Sequence, residues 1–573
     1  MLSDPANLPS WFDALAQTAP ADTRVSIVDA VPVLHGASTE ADVFGALIFR
    51  VGYADETFAS TGITHLVEHL ALRGSLGSDI HANGQVDELF TIFHCRGESA
   101  DVLRFLSRVS ESLNALPLDR MEQEKHILSV EWQGRQGHPV SLHVMERYGH
   151  RGPGLAWSGE LGLHRISSTD VLSWVATHFT AQNALLVFTA DELPPGLSLR
   201  LPSGAPHPFP VRTSTLPGLP GFYEAHGTQV LVDAEVRRST SAALFARVAQ
   251  RTLLRRLRME SGLSYSVTSD YTPVDAKFAR VTLTADASPD RLEELTDEFF
   301  DELELLRQGF FDPEDIAIEK RNSLRSYEDD TSIGMMMSIA RNVMLGHDQQ
   351  PLSALREELE AVTVEDMTAA ASDFLRHALA QVPTASLARR GFRPSPRWSA
   401  RTVAGTAHAL SDGSGATLRV DSEGVSRITA PGAAATVRYS DCVGLLVYPD
   451  GGRVLIGADG FGVSIEPTVT PGLGELEIDA LETRIAFELH VPMPPRDPAA
   501  IPRPAKRTWR PVIDRGLLMA VMWFGLAAAF LIAMWLVTGW LGVPHLRWFV
   551  VASAVVVIIT TAARGDIGGG GFD

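Results

Sequence analysis

Hydrophobic periodicity divides the first two thirds of the chain into two similar segments. Within residues 20–200, short apolar or alternating runs predict strands (RVSIVDAVPVL, VFGALIFRVGY, LFTIFHC, ALLVFTA), and a 3.6-residue repeat predicts helices (HLVEHLAL, DVLRFLSRVSESL, MEQEKHILSVEW, VLSWVATHF). After a Pro-rich link, a similar order returns within residues 220–395, where QVLVDAEV and FARVTLTADA predict strands around the helix SAALFARVAQRTLLRRL. The pattern predicts an α+β protein with two copies of one α/β sandwich unit.

The hydrophobic pattern changes in residues 415–490. Short alternating runs, ATLRVDSEG, ATVRYS, VGLLVYP, GRVLIGADG, FGVSIEP and ETRIAFEL, are separated there by Asp, Gly and Pro. This pattern is typical of a small all-β module, for which we expect a role in spacing or partner binding. Residues 491–515 are rich in Pro and predict a semi-rigid linker.

Two hydrophobic runs lie near the C-terminus. Residues 516–540 are 25 residues without a charge, long enough to span a bilayer as a helix, and residues 546–563 contain a second, shorter run. Basic residues flank the outer ends of both runs, whereas the turn between them holds only Arg547. This bias predicts two transmembrane helices in the cell membrane with both ends in the cytoplasm. The alternative is a buried hydrophobic hairpin in a soluble domain.

Composition narrows the class of protein. The chain has 573 residues, 45% of them hydrophobic, and a formal net charge of -20, which predicts several folded domains. The acidic excess argues against a nucleic-acid partner, because phosphate binding requires a clustered positive surface. Cys95 and Cys442 are too few for a disulfide framework, and the N-terminus lacks a basic and apolar signal sequence. Both observations favour a cytoplasmic location for the folded domains.

The clearest chemical signal is the segment His65-Leu66-Val67-Glu68-His69. Residues four apart lie on one face of a helix, so His65 and His69 can contact one cation. A catalytic zinc ion requires three protein ligands, an open position for water and a nearby carboxylate that accepts the proton of that water. His65 and His69 supply two ligands, and Glu68 supplies the base. The competing interpretation is a pair of surface or core histidines, since an HxxxH pattern often arises by chance.

A third ligand must come from another element, and the predicted helix MEQEKHILSVEW offers two candidates. Glu124 and Glu131 are seven residues apart and therefore lie two turns apart on the same face. If one of them binds the metal, the other can hydrogen-bond to a ligand histidine or to the base. The residues alone leave open which carboxylate has which role.

An HxxEH segment followed by a helix with E-x6-E resembles the pitrilysin/insulinase family of zinc peptidases. The resemblance covers roughly residues 24–380. It implies that His65, His69 and Glu131 are the zinc ligands. It also implies that Glu68 is the general base and that Glu124 is a supporting carboxylate. The 61 residues between His69 and Glu131 are fewer than is usual in that family, so the position of the third ligand rests on the E-x6-E pattern.

Two further segments resemble parts of the same family. Arg258 and Tyr265 match its R-x6-Y element, which implies that they orient the substrate and stabilise the oxyanion; a guanidinium and a phenol can both donate to a carbonyl oxygen. LFTIFHCRG resembles the edge strand on which an extended peptide pairs through main-chain hydrogen bonds. The candidate substrate-binding residues are Asn83, Phe90, Thr91 and Phe93.

Together these patterns predict a membrane-tethered, zinc-dependent metalloendopeptidase that cleaves peptides or small unfolded proteins. The alternative is a catalytically silent, membrane-anchored partner or assembly protein of the same fold. The resemblance implies that four such units enclose the substrate, and this chain has two. We therefore expect a homodimer or a paired peptidase-like subunit, in which Arg258 and Tyr265 act either in cis or at the zinc site of the partner.

Overall fold

The computed structural model divides the chain into two units, residues 1–504 and residues 505–573. The described residues are 8–20, 22–37, 42–73, 81–135, 139–205, 207–210, 212–225, 227–325, 332–347, 350–505, 528–530 and 532–537.

The first α/β unit is built on a six-stranded sheet with the order β1-β2-β6-β3-β5-β4. Its strands are β1 (Thr23–Val28), β2 (Val31–Gly36), β3 (Val43–Phe49), β4 (His81–Val86), β5 (Thr91–Gly97) and β6 (Ala184–Phe188). β2 and β6 are parallel, and the other neighbours are antiparallel. The run RVSIVDAVPVL, predicted as one strand, forms the hairpin β1–β2, because Asp29 and Ala30 adopt φ values of 50° and 68° that reverse the chain.

Helices cover both faces of this sheet. The helices of the first unit are α1 (Phe12–Thr18), α2 (Ile63–Leu72), α3 (Ser99–Asn114), α4 (Met121–Arg135), α5 (Pro139–Tyr148) and α6 (Ser168–His178). Leu66 and Leu70 of α2 and Val102 and Phe105 of α3 are buried in one apolar cluster with strand residues such as Phe93. The helix that carries the histidines is therefore anchored by its apolar face, as the 3.6-residue spacing predicted.

The second α/β unit repeats this arrangement with the strand order β12-β7-β11-β8-β10-β9. Its strands are β7 (Gly221–Glu224), β8 (Gln229–Arg237), β9 (Val267–Pro273), β10 (Phe278–Asp286), β11 (Leu379–Val382) and β12 (Arg393–Pro394). Its helices are α7 (Thr240–Leu253), α8 (Leu292–Arg307), α9 (Pro313–Arg325), α10 (Ile333–Met344), α11 (Leu352–Ala361) and α12 (Val364–Arg376). β7 is parallel to β11, and β8, β9, β10 and β11 pair antiparallel, as their counterparts do in the first sheet. The two sheets differ at the outer strand, where β1 is antiparallel and β12 is parallel to its neighbour.

The first and second α/β units, both within residues 1–504, share a core. Helix α10 of the second unit packs against the second face of the first sheet, where Met336 and Val343 join Leu34, Ile48 and Leu185 in one buried cluster. Helix α1 covers the same face through Leu15. The methionine-rich segment of α10 is thus part of an apolar core between the units.

Buried charged side chains also connect the two α/β units. Asp233 of β8 accepts from Arg147 Nε at 3.1 Å and lies 3.0 Å from His143 Nε2, and these three side chains are at most 3% exposed. Burial alone would raise the pKa of Asp233, but Arg147 and His143 lower it well below its usual range. This network holds α5 against the second sheet.

Residues 406–492 form a third region, here called the β module, with the sheet orders β13-β14-β15-β16 and β19-β18-β17-β20. Its elements are β13 (Thr406–Ala409), β14 (Thr417–Val420), β15 (Gly424–Ala430), β16 (Ala433–Arg438), β17 (Cys442–Val447), β18 (Arg453–Gly457), β19 (Gly462–Ile465), α13 (Glu475–Glu482) and β20 (His490–Pro492). Leu418 and Val425 of one sheet and Leu445 and Leu455 of the other are buried in a common core.

The prediction that the whole module is β was wrong at the run ETRIAFEL. This run contains the end of α13 and a 3-10 turn, Phe487–Leu489, and no strand. Ile478, Leu481 and Ile485 recur at the helical spacing of three and four residues, and all three are buried in the core of the module. The helical period therefore decides the structure of this segment.

The predicted membrane spans, residues 516–540 and 546–563, lie outside the described residues except for 528–530 and 532–537. Among the residues that the structure describes, no helix has the length and apolar character needed to cross a membrane.

Candidate functional site

The candidate site is built on α2, whose first turn is fixed by the preceding loop. Gly62 precedes the helix with a φ of +90°, and the buried carboxylate of Glu56 accepts hydrogen bonds from the backbone N–H groups of Gly62 and Thr64, both at 2.9 Å. These bonds satisfy donors that a helix N-terminus otherwise leaves unpaired. Burial raises the pKa of Glu56 to about 7, although the bonds from Thr64 and Gly62 oppose that shift.

Four side chains direct polar atoms at a common centre beside α2. His65 Nε2 lies 3.7 Å from Glu68 Oε2 and 4.0 Å from Glu131 Oε2. His69 Nε2 lies 3.8 Å from Glu68 Oε2 and 3.7 Å from Glu131 Oε1. One polar atom from each of His65, Glu68 and His69 lies within 4.8 Å of the others. Two imidazoles and two carboxylates therefore converge.

Two other carboxylates hold the outer nitrogens of the histidines. His65 Nδ1 lies 2.6 Å from Glu160 Oε1, and His69 Nδ1 lies 3.2 Å from Glu124 Oε2. Because an ionised carboxylate only accepts hydrogen bonds, these contacts place the ring proton on Nδ1. The lone pair of each Nε2 is then directed at the common centre. Arg73 contacts the second oxygen of Glu124 and compensates its charge.

Helix α4 brings its two glutamates to different parts of the site. Glu124 is 5% exposed and contacts His69 at Nδ1, on the side of the ring away from the common centre. The side chain of Glu131, at 38% exposure, faces both Nε2 atoms instead. Of the two α4 glutamates, Glu131 is therefore the one whose carboxylate faces the common centre with the two histidines.

Glu68 lies between the histidines and strand β4. Its side chain is 6% exposed, and its Oε1 lies so close to Gly84 that a Cβ atom at that position would be 1.9 Å away. The absence of a side chain at Gly84 lets the strand backbone approach the carboxylate. β4 is the outermost strand of its sheet, so an extended peptide can pair with it beside Glu68.

The donor set fits a zinc ion. Two imidazole nitrogens and one carboxylate form a known ligand set for catalytic zinc, and three protein ligands leave a fourth position for water. Histidines that bind metal usually donate their other N–H to a carboxylate or carbonyl, as His65 and His69 do here.

Comparison with known proteins identifies the fold. A family model described as "Peptidase M16 inactive domain" matches residues 235–323. No curated protein sequence matches the chain. Among solved structures, a protease from Helicobacter pylori matches with a TM-score of 0.55 and 15% identity, over 63% of this chain and 98% of that one. The peptidase M16 inactive domain from Pseudomonas fluorescens matches with a TM-score of 0.53 and 14% identity, over 63% and 97%.

The two α/β units have an M16-like fold. The same fold is found in the periplasmic protease PqqL from Escherichia coli, which matches with a TM-score of 0.51 and 12% identity over 77% of this chain and 56% of that one. These likenesses confirm the α/β fold expected from the resemblance to the pitrilysin/insulinase family. The family-model match runs from β8 into α9 of the second unit, whereas the HxxEH segment lies in the first unit.

The structure corrects the position of the edge strand within the M16 fold. LFTIFHCRG was predicted to be the edge, but β5 pairs with β3 on one side and β4 on the other. Phe90, Thr91 and Phe93 are consequently buried, at no more than 2% exposure, and cannot contact a bound peptide with their side chains. Asn83 is exposed on β4, the true edge, and its proposed contact with substrate stays a prediction.

Arg258 and Tyr265 lie in the second unit, beyond the end of α7. The helix continues as a π-helical turn, Leu254–Glu260, and Arg258 Cζ lies 5.0 Å from the centroid of the Tyr265 ring. Tyr265 is 78% exposed. Arg258 is also exposed, and the contacts given above for the two histidines, from α2, α4 and Glu160, do not include this pair. Their role at a zinc site stays a prediction.

Glu160 and Glu56 were not predicted from the sequence. Glu160 is 95 residues from His65 and lies in RGPGLAWSGELG, a segment without hydrophobic periodicity. The one available signal was its glycine content. Gly159 has a φ of +68°, and a Cβ atom there would lie 2.8 Å from the ring of Trp132, the neighbour of Glu131. Such glycines indicate a loop that packs closely against another element.

Proposed function

We propose that the chain is a zinc-dependent metalloendopeptidase, a hydrolase that cleaves peptides or small unfolded proteins. The observation that carries this proposal is the convergence of His65 Nε2, His69 Nε2 and the Glu131 carboxylate beside Glu68. The first three groups would hold the metal. A bound zinc ion would polarise the attacking water and the scissile carbonyl.

The surrounding residues have separate tasks in this proposal. Glu68 takes a proton from the attacking water and delivers it to the leaving amine. Glu160 and Glu124 fix the two imidazole rings through their Nδ1 atoms. The edge of β4, which includes Asn83, aligns the main chain of the peptide next to Glu68, so that cleavage depends little on side-chain sequence.

Two parts of the proposal reach beyond this site. A second copy of the chain, or a paired peptidase-like subunit, encloses the peptide and brings its own Arg258 and Tyr265 to stabilise the oxyanion. The exposure of this pair supports that arrangement. The hydrophobic runs 516–540 and 546–563 tether the peptidase to the cytoplasmic face of a membrane, which their length and flanking charges support.

The test compares three full-length proteins, wild type, Glu68→Gln and Glu111→Gln, in which Glu111 is an exposed residue of α3 and serves as a matched control. Zinc content is measured by elemental analysis and cleavage with a random peptide library. We expect zinc in all three proteins and a loss of cleavage of about 10²- to 10⁴-fold in Glu68→Gln alone. Equal cleavage by wild type and Glu68→Gln would remove Glu68 as the base.

A second candidate function is a catalytically silent partner or assembly protein. It is favoured by the description of the matching family model, "Peptidase M16 inactive domain", and by the solved inactive domain that shares the fold. The same experiment separates the two functions. A catalytically silent protein would cleave no peptide in its wild-type form, whether or not it binds zinc.

A further inference from the structure

The segment 149–164, here called the Glu160 loop, determines where Glu160 meets His65. One side of this loop packs on α4, where the ring of Trp132 lies against Gly159. The loop also contains the 3-10 turns Gly152–Trp157 and Leu161–His164, which leave Glu160 at the start of the second turn. The position of the Glu160 carboxylate therefore depends on what holds the rest of the loop.

The β module covers the other side of the loop through an apolar contact. Phe58, Leu155, Leu446 and Val491 belong to one cluster with at most 7% exposure. Leu446 and Val491 come from β17 and β20 of the module, whereas Leu155 comes from the Glu160 loop and Phe58 from the turn that follows Glu56. The module thus packs on both loops that position α2.

The fit at this contact is close. A Cβ atom at Gly444 of β17 would lie 2.2 Å from the ring of Phe58, so the ring lies directly on the strand backbone. Contacts of this kind transmit a displacement, because a packed apolar interface has few alternative arrangements.

A second contact joins the module to the same loop through polar groups. The turn between β18 and β19 abuts Gly149, where a Cβ atom would lie 2.0 Å from the carbonyl oxygen of Ala458. Gly460 of the same turn is also close, since a Cβ atom there would lie 3.8 Å from Gly149 Cα. The next residue, His150, contacts Ser158 Oγ through Nδ1 at 2.9 Å. Ser158 lies two residues before Glu160. A continuous series of contacts therefore runs from the module to the carboxylate that holds His65.

We propose that the β module is a positioning element for the metal site: by holding the Glu160 loop through Leu446, Val491 and the His150–Ser158 contact, it keeps Glu160 on His65 and sets the zinc affinity. This inference rests on the proposed zinc function and adds a role for residues 406–492. A module that served as a spacer alone would not bury its apolar residues against the loops around α2.

The test uses the full-length chain and measures zinc affinity by competition with a chelator, together with the thermal unfolding midpoint of the metal-free protein. The variants are Leu446→Ala, which removes apolar contact between module and loop, and Ser158→Ala, which removes one hydroxyl and causes little disturbance of folding. Leu185→Ala is the matched control, because Leu185 is also a buried leucine but lies in the core on the other face of the first sheet.

We expect Leu446→Ala and Ser158→Ala to weaken zinc binding by about 3- to 10-fold, below the 10- to 100-fold loss typical when a supporting residue of a ligand is removed outright. Leu185→Ala should lower the unfolding midpoint without changing zinc affinity. In a Glu160→Ala background, Leu446→Ala should have no further effect on affinity, because the module then has no carboxylate to position.

Wild-type zinc affinity in both Leu446→Ala and Ser158→Ala would overturn the positioning role. It would also be overturned if Leu446→Ala weakened zinc binding in the Glu160→Ala background by the same factor as in the wild type. These results leave the zinc function intact. A wild-type protein that binds no zinc would instead overturn the zinc function and, with it, this inference.

Discussion

The contact between Glu160 and His65 permits a quantitative prediction. In the wild type, His65 Nδ1 lies 2.6 Å from a carboxylate oxygen of Glu160. Glu160→Gln preserves the shape of this side chain and one carbonyl oxygen that can still accept a hydrogen bond from His65 Nδ1. What it removes is the negative charge. A hydrogen bond to a charged group contributes about 1.5–3 kcal/mol, and a neutral one about 0.5–1.5 kcal/mol.

The difference of about 1–1.5 kcal/mol corresponds to a loss of zinc affinity of about tenfold, since 1.4 kcal/mol is a factor of ten. The estimate agrees with the lower end of the range for supporting residues of metal ligands. The Glu160 side chain is only 15% exposed, so solvent screens the interaction little.

The assay is a chelator competition at neutral pH with wild type, Glu160→Gln and the control Glu122→Gln, an exposed glutamate of α4 that pairs with Lys125. Glu122→Gln should bind zinc like wild type. If Glu160→Gln also bound zinc with wild-type affinity, the carboxylate would not be holding a ligand and the reasoning would be refuted. A loss of the folded state would refute it as well, because the substitution removes no apolar packing.

Three further predictions test the fold and the second unit. Asp233→Asn should lower the free energy of unfolding in urea by about 3–5 kcal/mol, because Arg147 is left buried without its charged partner; a change below 1 kcal/mol would contradict a structural role for the pair. Burial lowers the pKa of His150 to about 4. Between pH 6.5 and 4 the unfolded chain therefore gains this proton more readily than the folded one, and the free energy of unfolding of the metal-free protein should fall by about 3 kcal/mol. His150→Asn should show a smaller loss over that range, and an identical loss would exclude His150 as the cause. Mixing the inactive Glu68→Gln and Arg258→Ala chains should restore cleavage by forming one complete site per dimer, whereas no recovery would exclude action across the dimer.

The sequence predicts those parts of the site that are close together on one element. His65, Glu68 and His69 lie on a helix whose apolar spacing is regular, and the seven-residue interval of Glu124 and Glu131 places them on one face of α4. Helical geometry alone converts these spacings into proximity. The assignment of Glu131 to the common centre required the packing of α4 against α2, which no local pattern contains.

The sequence does not predict contacts that depend on the tertiary arrangement. Glu160 approaches His65 across 95 residues through a loop without periodicity. The edge strand was misplaced because HANGQV, which forms β4, contains few apolar residues, whereas the neighbouring LFTIFHC has the strong pattern of a strand that is buried on both sides. The docking of the β module around Phe58 is equally invisible in sequence, since it depends on the absence of a side chain at Gly444.

The central claim is that two histidines and one glutamate hold zinc in the first α/β unit. The most direct test is X-ray absorption spectroscopy at the zinc edge of the full-length protein. We predict about two imidazole nitrogens at about 2.0–2.1 Å, completed by oxygen donors at about 2.0–2.2 Å, with this signature lost in His65→Ala. A spectrum with a sulfur ligand, or one unchanged by His65→Ala, would place the metal elsewhere and contradict the account.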